Sequence, residues 1–416
     1  MKILLVHNSY QQFGGEDVVF EQERKLLESA GHEVFTYCRS NLEIRAYNIV
    51  QRIALAKQVV WASPSHNGLQ KLLLEKRPDL VHAHNTFPLV SPSIYWTCKA
   101  AGIPVVQTLH NYRLLCPAAA LYRDGHVCEE CIDHSLWRSL RHGCYRNSRL
   151  ATAPVALMLA VHRQRQTWAK MVDCYIALTQ FAKNKYVKSG IPFHKIQVKP
   201  NFLYADPGAR NQEGSYALYV GSITREKGLS DVAAAWHRLK VPIPLQIVGD
   251  GPYLKTMQGE ASNHGYSNIC FKGLLCHEEV LFAMKGARFV IFPSQYYENF
   301  PMTLVEAFAC GVPVIASRLG SVEEIVQDGR CGLQFAPGNP DDLAAKVEWA
   351  WTYPREMLAM GRTARAEYEA KYTAQHSYKL LMKIYASVLQ SAHKESAYSP
   401  AVTLYSEAKN NLQEAP

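Results

Sequence analysis

Two glutamates, Glu298 and Glu306, stand eight residues apart in YYENFPMTLVEAFACGVPVIAS. Residues 289 to 294, FVIFPS, are an apolar run of strand length, and after Pro301 the residues Thr303 to Cys310 take helical spacing. The pair therefore brackets a helix N-terminus. Backbone N–H groups near Phe300, Met302 and Thr303 have no intrahelical partner there, so they can hold a diphosphate, and the helix dipole adds to the attraction. Glu298, at the loop end, can accept hydrogen bonds from sugar hydroxyls. Glu306, one turn into the helix, can accept both hydroxyls of a ribose. The chemistry that suits this arrangement is the holding of a sugar nucleotide.

Such a pair needs a scaffold. Apolar strand-length runs alternate with helical patterns along the chain: KILLVH, HEVFTYC, LVHAH, PVVQTLH and CYIALT in the first half, then YALYVG, LQIVG, ICFKG, FVIFPS and PVIAS. This alternation predicts parallel sheets covered by helices, an α/β fold built twice as two Rossmann-like domains. The seam falls near Pro200 to Ser215, where PNFLYADPGARNQEGS gathers Pro, Gly, Asn and Asp. The reading is a first domain over 1–203, a second over 204–363, and a last helix over 364–390 with a one-sided stripe of Tyr378, Leu381, Tyr385 and Val388. Residues 391–416 lack periodicity and read as a loose tail.

The string PS-x(3)-E-N-F-P, then E-A-x(2)-C-G-V-P-V-I-A-S, then Glu323-Glu324-Ile325-Val326 and Asp328-Gly329 resembles the donor-site signature of retaining GT-B glycosyltransferases of glycosyltransferase family 4. The likeness covers roughly residues 1 to 390 and is densest from Tyr219 to Leu333. It implies transfer of a sugar from a nucleoside diphosphate donor to a hydroxyl acceptor, lipid-linked or a growing glycan, in making a cell-surface polysaccharide or glycolipid. It also implies retention of anomeric configuration and a last helix that crosses back to the first domain.

The resemblance assigns further residues. Gly14 and Gly15 form the loop that family members bring to the donor phosphates, His110 contacts the transferred sugar, and Lys227 in GSITREKG offsets diphosphate charge. The family arginine directly after Gly221 is absent, since Ser222 stands there, and Arg225 is the candidate substitute. Gly249 and Gly251 in IVGDGP, with Lys272 and Gly273 in FKGL, resemble the loops framing the nucleotide. Asn299 lies within the matched donor block. His84 ends another strand and reads as a structural histidine by default. No Asp-x-Asp clamp follows a strand, so no catalytic divalent metal is expected.

Cys116, Cys128, Cys131 and Cys144 fall within 29 residues, in an insert over 112–146. Four thiolates at such spacing can close a tetrahedral structural zinc site and fix a long loop. Ordinary reduced cysteines and a redox role are the other readings, and His126, His134 and His142 are alternative ligands.

Length and charge bound the rest. The 416 residues suffice for two domains, and 48% hydrophobic with 19% charged residues is a globular composition. Eleven cysteines, an odd number, predict reduced thiols in a cytoplasmic chain. No apolar run reaches the ~18 residues that cross a bilayer, and MKILLVHN reads as a first strand, not a leader. Residues 1–200 hold 25 Lys and Arg against 14 Asp and Glu. Between Asp133 and Asp173 there is no acidic residue, so the basic segment 134–170 fits either an anionic membrane surface or a solvated face.

Two other classes were weighed. A nicotinamide-dependent dehydrogenase lacks the G-x-G-x-x-G fingerprint here. A zinc-containing nucleic-acid-binding protein leaves the glutamate pair and second domain unexplained, so no nucleic-acid partner is expected.

Overall fold

The structure, a computed structural model, describes residues 1–11, 14–263 and 268–398. Fourteen strands are described: β1 (Lys2–Ser9), β2 (Glu33–Ser40), β3 (Leu80–Ala83), β4 (Val105–Leu109), β5 (Tyr122–Arg123), β6 (His126–Val127), β7 (Cys174–Ala177) and β8 (Ile196–Val198), then β9 (Tyr216–Val220), β10 (Leu245–Val248), β11 (Ile269–Gly273), β12 (Ala287–Phe292), β13 (Val314–Ser317) and β14 (Gly332–Phe335). Two six-stranded sheets result, ordered β2-β1-β3-β4-β7-β8 and β11-β10-β9-β12-β13-β14, with β5 and β6 as a separate hairpin. All pairings within the two large sheets are parallel.

Parallel strands are covered on both faces, which is why they read as continuous apolar runs. In β1, Ile3, Leu4, Leu5 and Val6 are all fully buried. Ile3 pairs with Val34 on one side and Leu80 on the other. Both sheets reverse their winding at an inner strand, between β1 and β3 in the first and between β9 and β12 in the second. In open α/β sheets ligands bind outside the carboxyl ends of the strands at such a switch point. The fold is thus two Rossmann-like domains facing a central cleft.

Strands β8 and β14 and the hairpin lack a readable signal, being two to four residues long. The final helix differs from the single element that the stripe predicts. It is two, Pro354–Lys371 and Ala374–Tyr398, because the Tyr372 carbonyl accepts from the Leu203 N–H at 3.0 Å instead of continuing the helix ladder. The second helix runs on through Tyr398, past Gln390, so 391–398 are helical; residues 399–416 of the expected tail lie outside the described residues. Leu381, Ile384, Tyr385 and Val388 pack with Ile3, Leu5, Phe20 and Leu80 of the first domain. Burial of each such side chain contributes roughly 1.5–3 kcal/mol, enough to hold the helix across the molecule. Tyr378 lies off this core and meets His32 at 2.9 Å.

Candidate active site

The helix Gly15–Ser29 follows β1 and starts at Gly14, whose N–H donates to Asp17 Oδ2 at 2.9 Å. Gln12 and Phe13 of this loop lie outside the described residues. From the second domain, β12 ends at Phe292 and the chain passes through Ser294 and Glu298 into the helix Met302–Ala309, entered from Pro301. These two loops face each other across a cavity of ≈ 300 Å³.

The domains are tied beside it. Asn299 Nδ2 donates to the Leu109 carbonyl at the end of β4, next to His110. Glu324 accepts from the Gln180 and Phe181 N–H groups at 2.9 and 2.8 Å, placing a second-domain carboxylate on the N-terminus of the first-domain helix Gln180–Lys188. Thr179 Oγ1 and Ser321 Oγ are 2.9 Å apart.

Of the residues singled out by sequence, Gly15, His110, Gly221, Lys227, Glu298, Asn299, Phe300, Met302 and Thr303 line this one cavity. Gly14, Arg225, Gly249, Gly251, Lys272, Gly273 and Glu306 do not. Gly249 and Gly251 have a packing reason: a Cβ would sit 1.9 Å from the Gly221 oxygen at Gly249 and 2.3 Å from the Ile223 oxygen at Gly251. With Gly249 N–H donating to Gly273 at 2.8 Å, these glycines let the loops after β9, β10 and β11 close on one another. Arg225 lies near the Tyr253 ring, 5.8 Å from its centroid. Lys272 is exposed. Glu306 is buried, 3.6 Å from His277 Nδ1, and burial raises its carboxyl pKa.

Glu298 is fully engaged. Its Oε1 accepts from Lys227 Nζ at 2.6 Å and Ser294 Oγ at 2.6 Å, and its Oε2 from Tyr296 OH at 2.8 Å. Burial alone would depress the Lys227 ammonium, but the Glu298 carboxylate outweighs it and raises the pKa, so Lys227 is a fixed cation at the cleft.

His110 Nε2 shares a hydrogen bond with His84 Nδ1 at 2.9 Å. Burial, then the neighbouring His84, holds His110 well below its usual range, so the ring is neutral. Beneath it, buried Glu23 lies 3.2 Å from His84 Nε2, 3.0 Å from His82 Nδ1 and 3.0 Å from Lys199 Nζ. Burial would raise the Glu23 carboxyl, but Lys199 and His82 outweigh it and hold it well below 4.5. Glu23, His82 and His84 also form the one trio of potential metal ligands mutually within 4.8 Å among the described residues. The adjacent Lys199 ammonium already supplies the cation there. His84 thus bridges the buried Glu23 and His110.

Glu16 is the carboxyl the sequence reading passed over. It lines the cavity one residue after Gly15, and its Oε2 accepts from Tyr10 OH at 3.2 Å and Asn111 Nδ2 at 3.1 Å. Its Oε1 is buried without a protein partner. Burial pushes Glu16 up to about 8, so it is mostly protonated at neutral pH. Asn201, Leu178 and Ser222 also line the cavity without having been singled out for it. The only available signal was proximity to a strand end. A larger hollow of ≈ 590 Å³ lies between β8 and the helix Ala374–Tyr398, but no residue of the second sheet reaches it.

Comparison with known proteins agrees with this geometry. The family model for glycosyl transferases group 1 matches residues 204–367, and that for glycosyltransferase family 4 matches residues 13–206. A glycogen synthase of Mycobacterium tuberculosis is 30% identical over 336 residues, 78% of this chain and 73% of that protein. O-antigen chain mannosyltransferase C of Escherichia coli is 28% identical over 179 residues, 42% of this chain; the match spans about half, 48%, of that relative. Among solved structures, Anabaena Alr3699/HepE in complex with UDP-glucose superposes with a TM-score of 0.67 at 18% identity, over 93% of this chain and 100% of that one, which shows the fold to be GT-B. Two paired domain models and a relative aligned over most of its length displace the dehydrogenase and nucleic-acid readings, and the chain belongs to the group 1, family 4 glycosyltransferases.

Proposed function

We propose that this glycosyltransferase moves a hexose-like sugar from a nucleoside diphosphate donor to a hydroxyl acceptor with retention of anomeric configuration, in building a cell-surface polysaccharide or glycolipid. Residues 1–203 form the acceptor side and 204–363 the donor side. The observation that carries the reading is one cavity bringing His110 and Glu16 from the first domain against Lys227, Glu298 and the start of the helix Met302–Ala309 from the second.

The donor diphosphate lies at that helix start, where first-turn N–H groups and the dipole favour negative charge. As the bond from the anomeric carbon to the diphosphate breaks, charge develops on the leaving oxygen. Lys227, held in place by Glu298, stabilises it inside a low-dielectric cleft without reorganising. The acceptor oxygen forms its bond on the face the diphosphate leaves, and its proton passes to the departing phosphate oxygen. Double displacement would need an ionised carboxylate nucleophile beneath the sugar. Glu16 is mostly neutral at pH 7, and both oxygens of Glu298 are engaged. Neutral His110 and protonated Glu16 suit hydrogen bonds to sugar and acceptor hydroxyls. Glu306 accepts from the ribose hydroxyls, and Gly221, Gly249, Gly251, Gly273, Lys272 and Arg225 frame the nucleotide end.

A peripheral contact with an anionic membrane surface completes the reading. The helix Arg149–Gln164 packs against the helix Ile49–Val60, and Leu150, Ile49 and Val50 are 89%, 77% and 74% exposed. Exposed Arg52, Arg141, Arg146 and Arg149 accompany them. Apolar side chains flanked by arginines suit the headgroup boundary. Among the described residues no helix is long and apolar enough to cross a membrane.

The reaction is tested by proton NMR of donor turnover with a panel of α-linked UDP-, GDP-, ADP- and dTDP-hexoses. The expected first-formed product carries the α configuration. A β product, from a folded and active sample, overturns retention.

A further inference from the structure

We propose that Cys116, Cys128, Cys131 and Cys144 bind one zinc ion as a tetrathiolate, and that this ion fixes the wall of the cleft on which Tyr122 meets Tyr296. The four side chains come from three separate turns of the insert, yet all four line one cavity of only ≈ 10 Å³. That space suits a single small ion and no organic ligand. All four are free thiols, Cys116 and Cys131 buried and the other two half-buried. None of His126, His134 and His142 lines this cavity, which decides among the ligand sets that spacing left open.

The surroundings suit a thiolate-bound ion. Four thiolates on a divalent ion leave a net charge of −2, and Arg123 and Arg138 line the same cavity with Glu130, which pairs with Arg123 at 3.0 Å and Arg138 at 3.8 Å, so the lining carries one net positive charge. Four soft sulfur ligands select zinc over the hard divalent cations. Among the described residues no three of these sulfurs lie mutually within 4.8 Å, so ligation draws at least two of them inward.

The segment has little else to fold around. Between Cys116 and Cys144 stand a hairpin of two-residue strands and two helices of four and five residues. Ala119, Leu121 and Asp124 adopt positive φ there, a conformation that persists only where surroundings over-determine it. From this insert Glu129 pairs with Lys185 and with Lys188 at 3.4 Å, and Tyr122 of β5 meets the Tyr296 ring edge-on at 6.2 Å between centroids. Tyr296 in turn donates to Glu298. The ion therefore sits two rings away from the Glu298 carboxylate. The consequence for sugar transfer rests on the function proposed above, whereas the metal content does not.

The test is elemental analysis of the full chain purified without chelator, with titration of the wild type by a mercurial thiol reagent in the presence of a chromophoric zinc chelator. One zinc per chain is expected, released as thiols beyond the three exposed ones, Cys38, Cys270 and Cys276, react. Cys128→Ser and Cys144→Ser should each lower zinc content at least tenfold, and Cys270→Ser, at an exposed cysteine of β11, should leave it unchanged. A folded wild type without zinc, with iron in its place, or with these cysteines joined as disulfides by mass spectrometry overturns the site. Metal-stripped protein should lose at least tenfold in transfer rate; zinc present but transfer unchanged on stripping overturns the link to the cleft. Absence of any response to sugar nucleotides with one zinc still bound would count against the proposed function alone.

Discussion

Lys227 Nζ lies 2.6 Å from Glu298 Oε1, joining the loop after β9 to the loop after β12 at the mouth of the cleft. Sequence reading gave each residue a substrate partner, the phosphates for one and a sugar for the other. The structure pairs them with each other, because a cation and a carboxylate held together at a partly dry site each need a counterpart. Lys227→Met should lower kcat by roughly 100- to 1000-fold, as loss of one preorganised charge donor does. It should cost only about 1–3 kcal/mol of stability, since Ser294 and Tyr296 still serve Glu298. Steady-state kinetics and urea unfolding on the same preparation check both parts.

Glu16 sets a pH dependence. Its carboxyl pKa is raised from 4.5 to about 8, so between those values the folded chain keeps a proton that the unfolded chain releases. Stability from this group therefore falls as pH rises from about 4.5 to 8. Glu16→Gln, neutral at every pH, should flatten that part of the curve relative to wild type. If protonated Glu16 binds the acceptor, kcat/KM of the wild type should fall above about pH 8, and the glutamine variant should not show the fall. Parallel pH profiles of the two proteins would contradict the assignment.

The buried Glu23–Lys199 pair should behave as a unit. Lys199→Met leaves a carboxylate buried among histidines and should destabilise by about 3–5 kcal/mol, and Glu23→Gln in the same chain should recover much of it. Because His84 reaches both Glu23 and His110, Glu23→Gln alone should shift the acid limb of the pH–rate profile. Double-mutant denaturation, paired with that profile, separates a structural ion pair from one that positions His110.

Membrane contact predicts a specific salt response. Sedimentation with vesicles containing a third anionic lipid should retain the chain at about 0.15 M salt and lose most of it at 0.5 M, as screening shortens the reach of charge. Leu150→Glu should reduce binding by about tenfold without changing turnover of a soluble acceptor. Equal binding to purely zwitterionic vesicles would leave the arginines without a role.

The sheets were legible because buried parallel strands are written as unbroken apolar runs, and ten runs appear as strands in the structure. The grouping of the loop after β12 at the cavity was legible for a different reason: Glu298, Asn299, Phe300 and Thr303 are sequence neighbours, so the chain itself already groups them. What escaped depends on distant partners. Glu23 meets Lys199 across 176 positions, and Tyr122 meets Tyr296 across the domain boundary. The break at Tyr372 needs the Leu203 backbone, which no helical periodicity encodes. Glu16 stands beside the glycine pair, but burial, and after it the Asp17 charge, raises its pKa, and burial is a property of the fold.

The most direct measurement of the central claim is calorimetric titration of wild type and Lys227→Met with each of UDP-, GDP-, ADP- and dTDP-hexoses. The account predicts saturable binding of at least one donor by the wild type and at least tenfold weaker binding of that donor by the variant. Wild-type protein that binds none of them, or a variant that binds as tightly, would contradict it.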